Sequence, residues 1–567
     1  MSRARILIWG FLLVALVGAL WWGSRPPSLA PGSVVLMKLQ GSYEEAPVSP
    51  AARLLGRGGS SLTFLLGELA KIERDDRVET VVFRIRGLTL GWARAEELRD
   101  AIARLGQKGK KTVAYLEIEG FGNGSYLVAS GAERIVAAPG HRNPFVGLAA
   151  EYMFLGGFFE KLGVEIEYER IGRFKSAVES YAKEEMSEAN REMSTALLDS
   201  VEDRFHTLIA EGRDLQVEEV EAIITQAPTG GELMKELGLI DAIQPWYEFE
   251  DQWESDKRVW LPTYAQIPLE ALDFEPQATF ALVYGSGPVL VGEGSYQGSS
   301  SVLASDTVAS AIIDAGEDPE IDAILFRIDS PGGSALASDI VWQAVERAKA
   351  KKPVVASFSD VAASGGYYVA AGAHKIVAQP TTYTGSIGVF VLKPVLGGLF
   401  DKLGVGIEVM TRGPHADLLL GSRPLDAETR EVLRDDVRSV YDLFLARVAA
   451  GRSMSPEDVD AIARGRVWTG VQALEKGLVD RLGGLRVAAV EARKLVGIAE
   501  DAPVVLVQYP PPRPLLQELT EALGSVSVAI QTPELPLPST LQSFVRIVGQ
   551  LPPGTPLVVP PGLLTIR

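Results

Sequence analysis

One unit has been used twice in this chain, and that duplication restricts the fold more than any local pattern does. Lys111–Val136 (KTVAYLEIEGFGNGSYLVASGAERIV) aligns without gaps on Lys352–Val377 (KPVVASFSDVAASGGYYVAAGAHKIV). Leu155–Glu167 (LGGFFEKLGVEIE) aligns on Leu396–Glu408 (LGGLFDKLGVGIE) at the same offset, since 352−111 and 396−155 both equal 241. A chain of 567 residues is too long for one ordinary core. The repeat therefore implies two large domains of one ancestry. The two copies also differ where it matters for chemistry. At the same offset Ser364 faces Asn123, Lys175 faces Ala416 and Ser386 faces Phe145, so each copy holds reactive side chains that the other lacks.

Composition narrows the classes of function. Hydrophobic content of 47% with 23% charged residues is that of a globular protein. A formal net charge of −18 argues against a nucleic-acid partner, which would call for concentrated Lys and Arg. With no cysteine, thiol catalysis, disulfides and thiolate metal sites are excluded. The four histidines, His141, His206, His374 and His415, form no HExxH motif and no close pair. A surface or structural role fits each of them better than metal ligation. His374 aligns with Glu133 and precedes Lys375, which suits a solvated surface position.

The N-terminus is different in kind. Arg3 and Arg5 precede Ile6–Gly23, a run without a charged residue that as a helix would span about 27 Å. Trp21 and Trp22 sit at its far end, where aromatic rings favour the membrane interface. The basic flank should stay in the cytoplasm and the body should face outward. A cleaved signal peptide is the competing reading, but WWGSRPP follows the run instead of a small-x-small cleavage site.

The expected organisation is an anchor over 1–24, a first repeat over 33–265, a second over 276–500 and a Pro-rich extension over 501–567. Short apolar runs such as Val34–Leu39, Thr80–Ile85, Phe280–Tyr284 and Ala323–Ile328 alternate with helical stretches such as Ala95–Leu105 and Ala337–Ala348. This pattern implies βαβ units and largely parallel sheets, an α/β fold in tandem. Each copy closes with a charged helical region, roughly Glu184–Ile224 and Ala427–Ile462. Proline-rich sequence beyond about Ala502 is not expected to continue the βαβ pattern.

Four segments carry the candidate chemistry. Asp329–Ser334, DSPGGS, follows the run AILFRI, and two glycines at a strand end let backbone N–H groups approach a ligand; a tight turn is the plainer reading. Its counterpart in the first copy, RGLTLG, has no double glycine. Ala362–Tyr368, AASGGYY, places Ser364 between a strand-like and a helix-like run. There a serine is an N-cap, or a nucleophile whose following N–H can hold an oxyanion. A nucleophilic serine needs a base, and lysine serves where burial and neighbouring hydroxyls favour its neutral form. Lys175, in IGRFKSAVESY after the extended run VEIEYERI, is the candidate. Thr384–Gly388, TGSIG, offers a second hydroxyl at Ser386, or simply a turn into a buried strand.

DSPGG, AASGGYY, TGSIG and GRFKSAVESY, with the tandem repeat and the N-terminal run, closely resemble the long, double-domain form of signal peptide peptidase A, bacterial membrane-anchored serine peptidases with a Ser/Lys dyad. The likeness covers about Val34 to Val496 and stops short of the tail. It implies a ClpP/crotonase-like α/β fold in each copy, with Ser364 as nucleophile, Lys175 as general base and Ser386 as the hydroxyl that orients the lysine. Gly365 and Gly333 would supply the oxyanion-hole N–H groups, with Gly332 the alternative to Gly333. The resemblance further implies endoproteolysis of cleaved signal peptides without metal or cofactor, hydrophobic peptide substrates, and a bowl-shaped homotetramer. It also implies the bacterial inner (cytoplasmic) membrane, with the catalytic body on the periplasmic or outer side. Alternative functions are membrane-protein quality control by the same protease, a non-catalytic oligomeric scaffold, and a crotonase-like acyl-CoA enzyme.

Overall fold

The structure, a computed structural model, describes residues 29–47, 60–120, 122–272, 274–294 and 302–511, and two short strands at 557–558 and 565–566. The apolar run Ile6–Gly23 lies outside the described residues. Among the described residues no helix is long and apolar enough to cross a membrane.

In the first copy four strands, β1 (Ser33–Glu44), β2 (Val78–Thr89), β3 (Lys111–Leu116) and β4 (Arg134–Ala137), lie side by side in parallel. Ala242–Ile243 extends the sheet beyond β4, and Ser60–Ser61 and Arg258–Trp260 pair with β1. Strand β5 (Glu165–Ile171) leaves this sheet altogether and serves the other copy. The second copy repeats the plan with β6 (Ala278–Ser286), β7 (Ala323–Ser330), β8 (Val354–Ala363) and β9 (Lys375–Ala378), all parallel. Further on, β10 (Tyr383–Gly385) pairs with the far end of β8, and β11 (Val389–Val395) receives β5 antiparallel along its whole length.

These strands form because their sequences are apolar on both faces, as a parallel sheet covered on both sides requires. In β6, Ala281 and Val283 enter the cluster containing Ile324, Phe326 and Tyr367. Their neighbours Phe280, Leu282 and Tyr284 turn the other way onto Ala488 and Ala492. That is the two-residue alternation of a strand. Each buried Ile, Leu or Phe contributes about 1.5–3 kcal/mol, so a strand such as β7, buried at seven of its eight positions, is held firmly. Crossover helices cover the faces: α1 (Trp92–Gln107), α2 (Asn123–Ala129) and the long α3 (Glu188–Arg213) in the first copy, and α4 (Ala335–Lys349), α5 (Gly365–Tyr368) and α6 (Ala427–Arg452) in the second.

The duplication is visible at the junction. Helices Gly156–Leu162 and Gly397–Leu403 are counterparts, each ended by a left-handed glycine, Gly163 or Gly404. The backbones of Gly163 and Gly398 approach so closely that a Cβ on Gly163 would lie 2.7 Å from the Gly398 carbonyl. Lys402 Nζ also donates to the carbonyl of its own counterpart, Lys161, at 2.6 Å. Symmetry ends there, because residues 406–411, the counterparts of most of β5, carry no strand.

One expectation needs correction. The segment placed in the extension begins with a strand of the second sheet, Val504–Tyr509, paired in parallel with β6. Its sequence, VVLVQY, is β-branched and apolar up to the proline that stops it, and that local signal outweighs the Pro-rich composition downstream.

Candidate active site

Lys175 and Ser364, 189 residues apart, meet between the copies: Lys175 Nζ donates to Ser364 Oγ at 2.6 Å. The amine also donates to the Ser386 carbonyl at 2.8 Å and to Ser386 Oγ at 3.0 Å. All three residues are fully buried. Burial without a carboxylate partner pushes the Lys175 amine well below the ordinary lysine range. The amine is thereby biased toward its neutral, proton-accepting form, with a hydroxyl in direct reach.

Ser364 ends β8 and begins α5 in a conformation few residues adopt, with φ of 59° and ψ of −115°. Such strain costs about 1–3 kcal/mol and must be held from outside. The Ser364 N–H donates to the Gly385 carbonyl at 2.7 Å, which ties the turn to β10. The capping reading fails here, because the side chain makes no capping bond to α5 and points at the amine instead. Ser386 also has positive φ, 52°, and its N–H donates to the Arg466 carbonyl at 2.7 Å.

The glycine turns converge on the same place. A Cβ on Gly365 would lie 2.7 Å from Ser338 Oγ and 3.0 Å from the Gly333 nitrogen, so the residue after Ser364 must be glycine for the DSPGGS turn to close against it. Gly332 directs its N–H to Ser330 Oγ at 3.2 Å, and its carbonyl accepts from the Val289 N–H at 2.9 Å.

Lys175 reaches this point because β5 is added to β11, from Val389 opposite Ile171 to Val395 opposite Glu165. The chain then turns and docks on the 464–467 segment of the second copy. The Phe174 N–H donates to the Arg464 carbonyl at 3.0 Å, and the Phe174 ring packs with Met193, Leu197 and Val467. Arg170 Nη1 donates to the Lys175 carbonyl at 2.9 Å and to the buried Glu179 carboxylate at 3.0 Å, bracing the loop from behind.

Sequence reasoning missed a charged clasp beside the glycine turn. Arg94, on α1 of the first copy, pairs with Asp329 of DSPGGS, with Asp360 at 2.8 Å and with Glu45 at 3.2 Å. Asp329 also accepts from the Val361 N–H at 3.1 Å, so the clasp links the first copy to β7 and β8 together. Beneath it the fully buried Arg327 binds Glu45 at 2.8 Å and Glu97 at 2.6 Å. Burial drives the Glu45 carboxyl up, but Arg327 and Arg94 outweigh it and hold the group below its usual range. Burial keeps Asp329 and Asp360 above theirs. A signal was available: Thr80–Ile85 aligns with Ala323–Ile328, and at that offset of 323−80 = 243 Arg94 faces Ala337.

The histidines stand elsewhere. His374 is half-buried, and its Nδ1 accepts from the Val354 N–H at 3.1 Å. His141 is buried, with its pKa pulled down to about 4 by desolvation, and accepts from the Ile118 N–H at 3.3 Å. His415 pairs with Thr429 at 3.0 Å. Among the described residues no group of His, Asp and Glu side chains is arranged to hold a metal ion.

Known proteins resemble this chain over most of its length. The model of peptidase family S49 fits the chain twice, over residues 104–259 and 346–499, together more than half of its length. The chain is 33% identical over 516 residues to the chloroplastic serine protease SPPA of Arabidopsis thaliana, covering 88% of this chain and 74% of that one. It is 28% identical over 545 residues to protease 4 of Salmonella typhi, covering 89% and 87%. Among solved structures it is similar to a mutant of the 1510-N membrane-bound stomatin-specific protease, with a TM-score of 0.26 and 17% identity over 41% of this chain and 98% of that chain. A serine peptidase built on a duplicated α/β unit is thereby defined. The chain belongs to peptidase family S49.

Proposed function

We propose that this serine peptidase is a membrane-anchored endopeptidase that degrades cleaved signal peptides through a Ser364–Lys175 dyad. The observation that carries the reading is the 2.6 Å contact between a buried lysine amine and the hydroxyl of a serine on a strained strand-to-helix turn. In the first step neutral Lys175 takes the Ser364 proton as Oγ attacks the scissile carbonyl. The oxyanion is held by the N–H groups of Gly365 and Gly333, each worth roughly 3 kcal/mol. The engagement of the Gly332 N–H by Ser330 supports Gly333 as the second donor. Protonated Lys175 then gives its proton to the leaving amine, and the acyl-enzyme forms. Water, deprotonated by the same amine, releases the second product and restores Ser364. Ser386 holds the amine through its hydroxyl and carbonyl, so the proton shuttle keeps one position throughout.

The uncharged run Ile6–Gly23 supports an anchor that keeps the body on the outer side of a bacterial cytoplasmic membrane, where hydrophobic peptides left in the bilayer are the nearest substrates. The family resemblance supports a homo-oligomer, tetrameric in the long form. The deciding experiment is cleavage of a synthetic signal peptide by the purified protein and by Ser364→Ala and Lys175→Ala. Both variants should lose at least about 10³-fold in kcat. Undiminished cleavage in either would sink the dyad, and a wild type that neither turns over peptide nor reacts with a serine-directed probe would favour a scaffold.

A further inference from the structure

The turn that carries Gly333 is built differently in the two copies. At the offset of 323−80 = 243, Ser330, Pro331 and Gly332 stand where the first copy has Gly87, Leu88 and Thr89. At the offset of 241, Gly366 stands where the first copy has Ser125. Each copy thus holds one serine here, on the turn in the second and on the helix in the first. The second copy has no room for both, because a Cβ on Gly366 would lie 2.5 Å from the Ser330 carbonyl oxygen and 3.2 Å from its Cβ. The two hydroxyls also take different amides. Ser125 Oγ accepts from the Leu88 N–H at 2.9 Å. In the second copy that position is Pro331, which has no N–H to give. The fully buried Ser330 hydroxyl accepts instead from the next amide, the Gly332 N–H, at 3.2 Å, and donates to the Gly287 carbonyl at 2.6 Å.

We propose that Ser330 is a positioning residue for the oxyanion hole: its hydroxyl, bridging the Gly332 N–H and the Gly287 carbonyl, fixes the glycine turn so that the Gly333 N–H faces the Ser364 site. The proposal rests on the peptidase reading above and adds what aims its second donor. The carbonyl of Gly332 accepts from the Val289 N–H at 2.9 Å. In a trans peptide the C=O and the following N–H point opposite ways, so the Gly333 N–H turns from Val289 toward Gly365, whose would-be Cβ lies 3.0 Å from the Gly333 nitrogen. Gly332, with φ of 96° behind a proline, is held at its N–H by Ser330 and at its carbonyl by Val289. Two successive glycines restrain each other less than any other pair, so that hold must come from outside them. Without it the Gly332–Gly333 peptide can rotate, and its carbonyl oxygen would then meet the charge growing on the substrate oxygen. The first copy, which has neither the double glycine nor a serine at position 123, has no hydroxyl on its turn either.

The test compares the full chain with Ser330→Ala, which removes the hydroxyl, and Ser330→Thr, which keeps it. The readouts are kcat and KM on a synthetic signal peptide, inhibition by a peptide aldehyde, thermal unfolding, and exchange of the Gly332 amide. The aldehyde binds by adding Ser364 Oγ to its carbonyl carbon, which lays its oxygen in the hole as the transition state does. Ser330→Ala should lower kcat about tenfold or more, short of the loss of about 10²- to 10³-fold for deleting a donor outright. KM should stay within about twofold, and aldehyde affinity should fall by the same factor as kcat. Ser330→Thr should recover most of both. A Ser330→Ala protein that unfolds at a lower temperature yet keeps its kcat and aldehyde affinity overturns the proposal, since Ser330 would then only support the fold. So does a Ser330→Thr protein of wild-type stability that is as slow as Ser330→Ala. If the wild type neither cleaves the peptide nor binds the aldehyde, the peptidase reading fails instead. Exchange of the Gly332 amide, slow in wild type and Ser330→Thr and fast in Ser330→Ala, still decides whether the hydroxyl holds the turn, and equal exchange in all three shows that it does not.

Discussion

Gly465→Ala isolates how finely the second copy positions the first copy's lysine. Gly465 has φ of 79°, and a Cβ there would lie 2.5 Å from the Lys175 nitrogen and 2.6 Å from its Cα and Cβ. Ordinary contact begins near 3.4 Å, so the Lys175 backbone must retreat by about 0.8 Å, through atoms that have no flexible end to yield. A displacement near 1 Å costs about 10²-fold in rate when a reacting group is moved, so kcat should fall about 30- to 100-fold while KM changes little. Stability should fall as well, by about 1–2 kcal/mol for the left-handed backbone and about 1–3 kcal/mol for overpacking. Gly477→Ala separates the two effects. Gly477 has a similar φ of 72° with nothing within 4 Å of its would-be Cβ, so it carries the backbone strain alone. The assay is kcat and KM on a synthetic signal peptide, beside denaturant unfolding of both variants. If folded Gly465→Ala turns over as fast as Gly477→Ala, the loop does not depend on that close approach and the reasoning fails.

Other outcomes follow from the charges. The proposed dyad needs neutral Lys175, whose pKa burial lowers, so kcat/KM should rise with pH along an acid limb below the ordinary lysine range; Lys175→Arg, which cannot deprotonate, should be inactive at every pH, and a limb near 10 in the wild-type profile would contradict this. Arg94→Ala leaves Asp329, Asp360 and Glu45 facing one another, and should cost about 3 kcal/mol in denaturant unfolding and about tenfold in kcat, with partial recovery in Arg94→Lys. Glu96, bonded to Arg204 at 2.6 Å and Thr381 at 2.9 Å, is raised by burial to about 7. The folded state therefore holds a proton that the unfolded chain has lost, and stability should decline as pH rises from about 4.5 through 7. Glu96→Gln should flatten that decline in a Tm-against-pH series, and an unchanged slope would show that Glu96 is not its source.

The sequence disclosed the pair Ser364 and Lys175 because duplication supplies its own control: a reactive side chain facing alanine or asparagine stands out without any other chain for comparison. Strand and helix runs were legible for the same reason that they are stable, since β1, β2, β6 and β7 are buried on both faces and read as continuous apolar segments. What joins the copies was not legible. The extended run VEIEYERI reads as a strand, yet its partner β11 lies in the other copy, and backbone pairing leaves no mark on side-chain pattern beyond alternation. Arg94, Asp360 and Glu45 read as ordinary surface charges until three carboxylates meet one guanidinium. Gly465 is one glycine among 57, and only the nearness of Lys175 gives it a role.

The pairing of β5 with β11 has a further consequence in time. A strand advances about 3.4 Å per residue and turns its faces over with each step, so a register slip of one residue would carry Lys175 farther than the whole 2.6 Å contact it makes with Ser364. The register is thus a ruler between the copies. During synthesis the amine emerges 189 residues before the hydroxyl, and the ruler can be read only once both repeats have folded and zipped together. Neither a half-made chain nor a misaligned one brings the two groups into contact, so on the proposed dyad a molecule capable of cutting polypeptide stays harmless to itself and to its ribosomal neighbours until its own folding is complete.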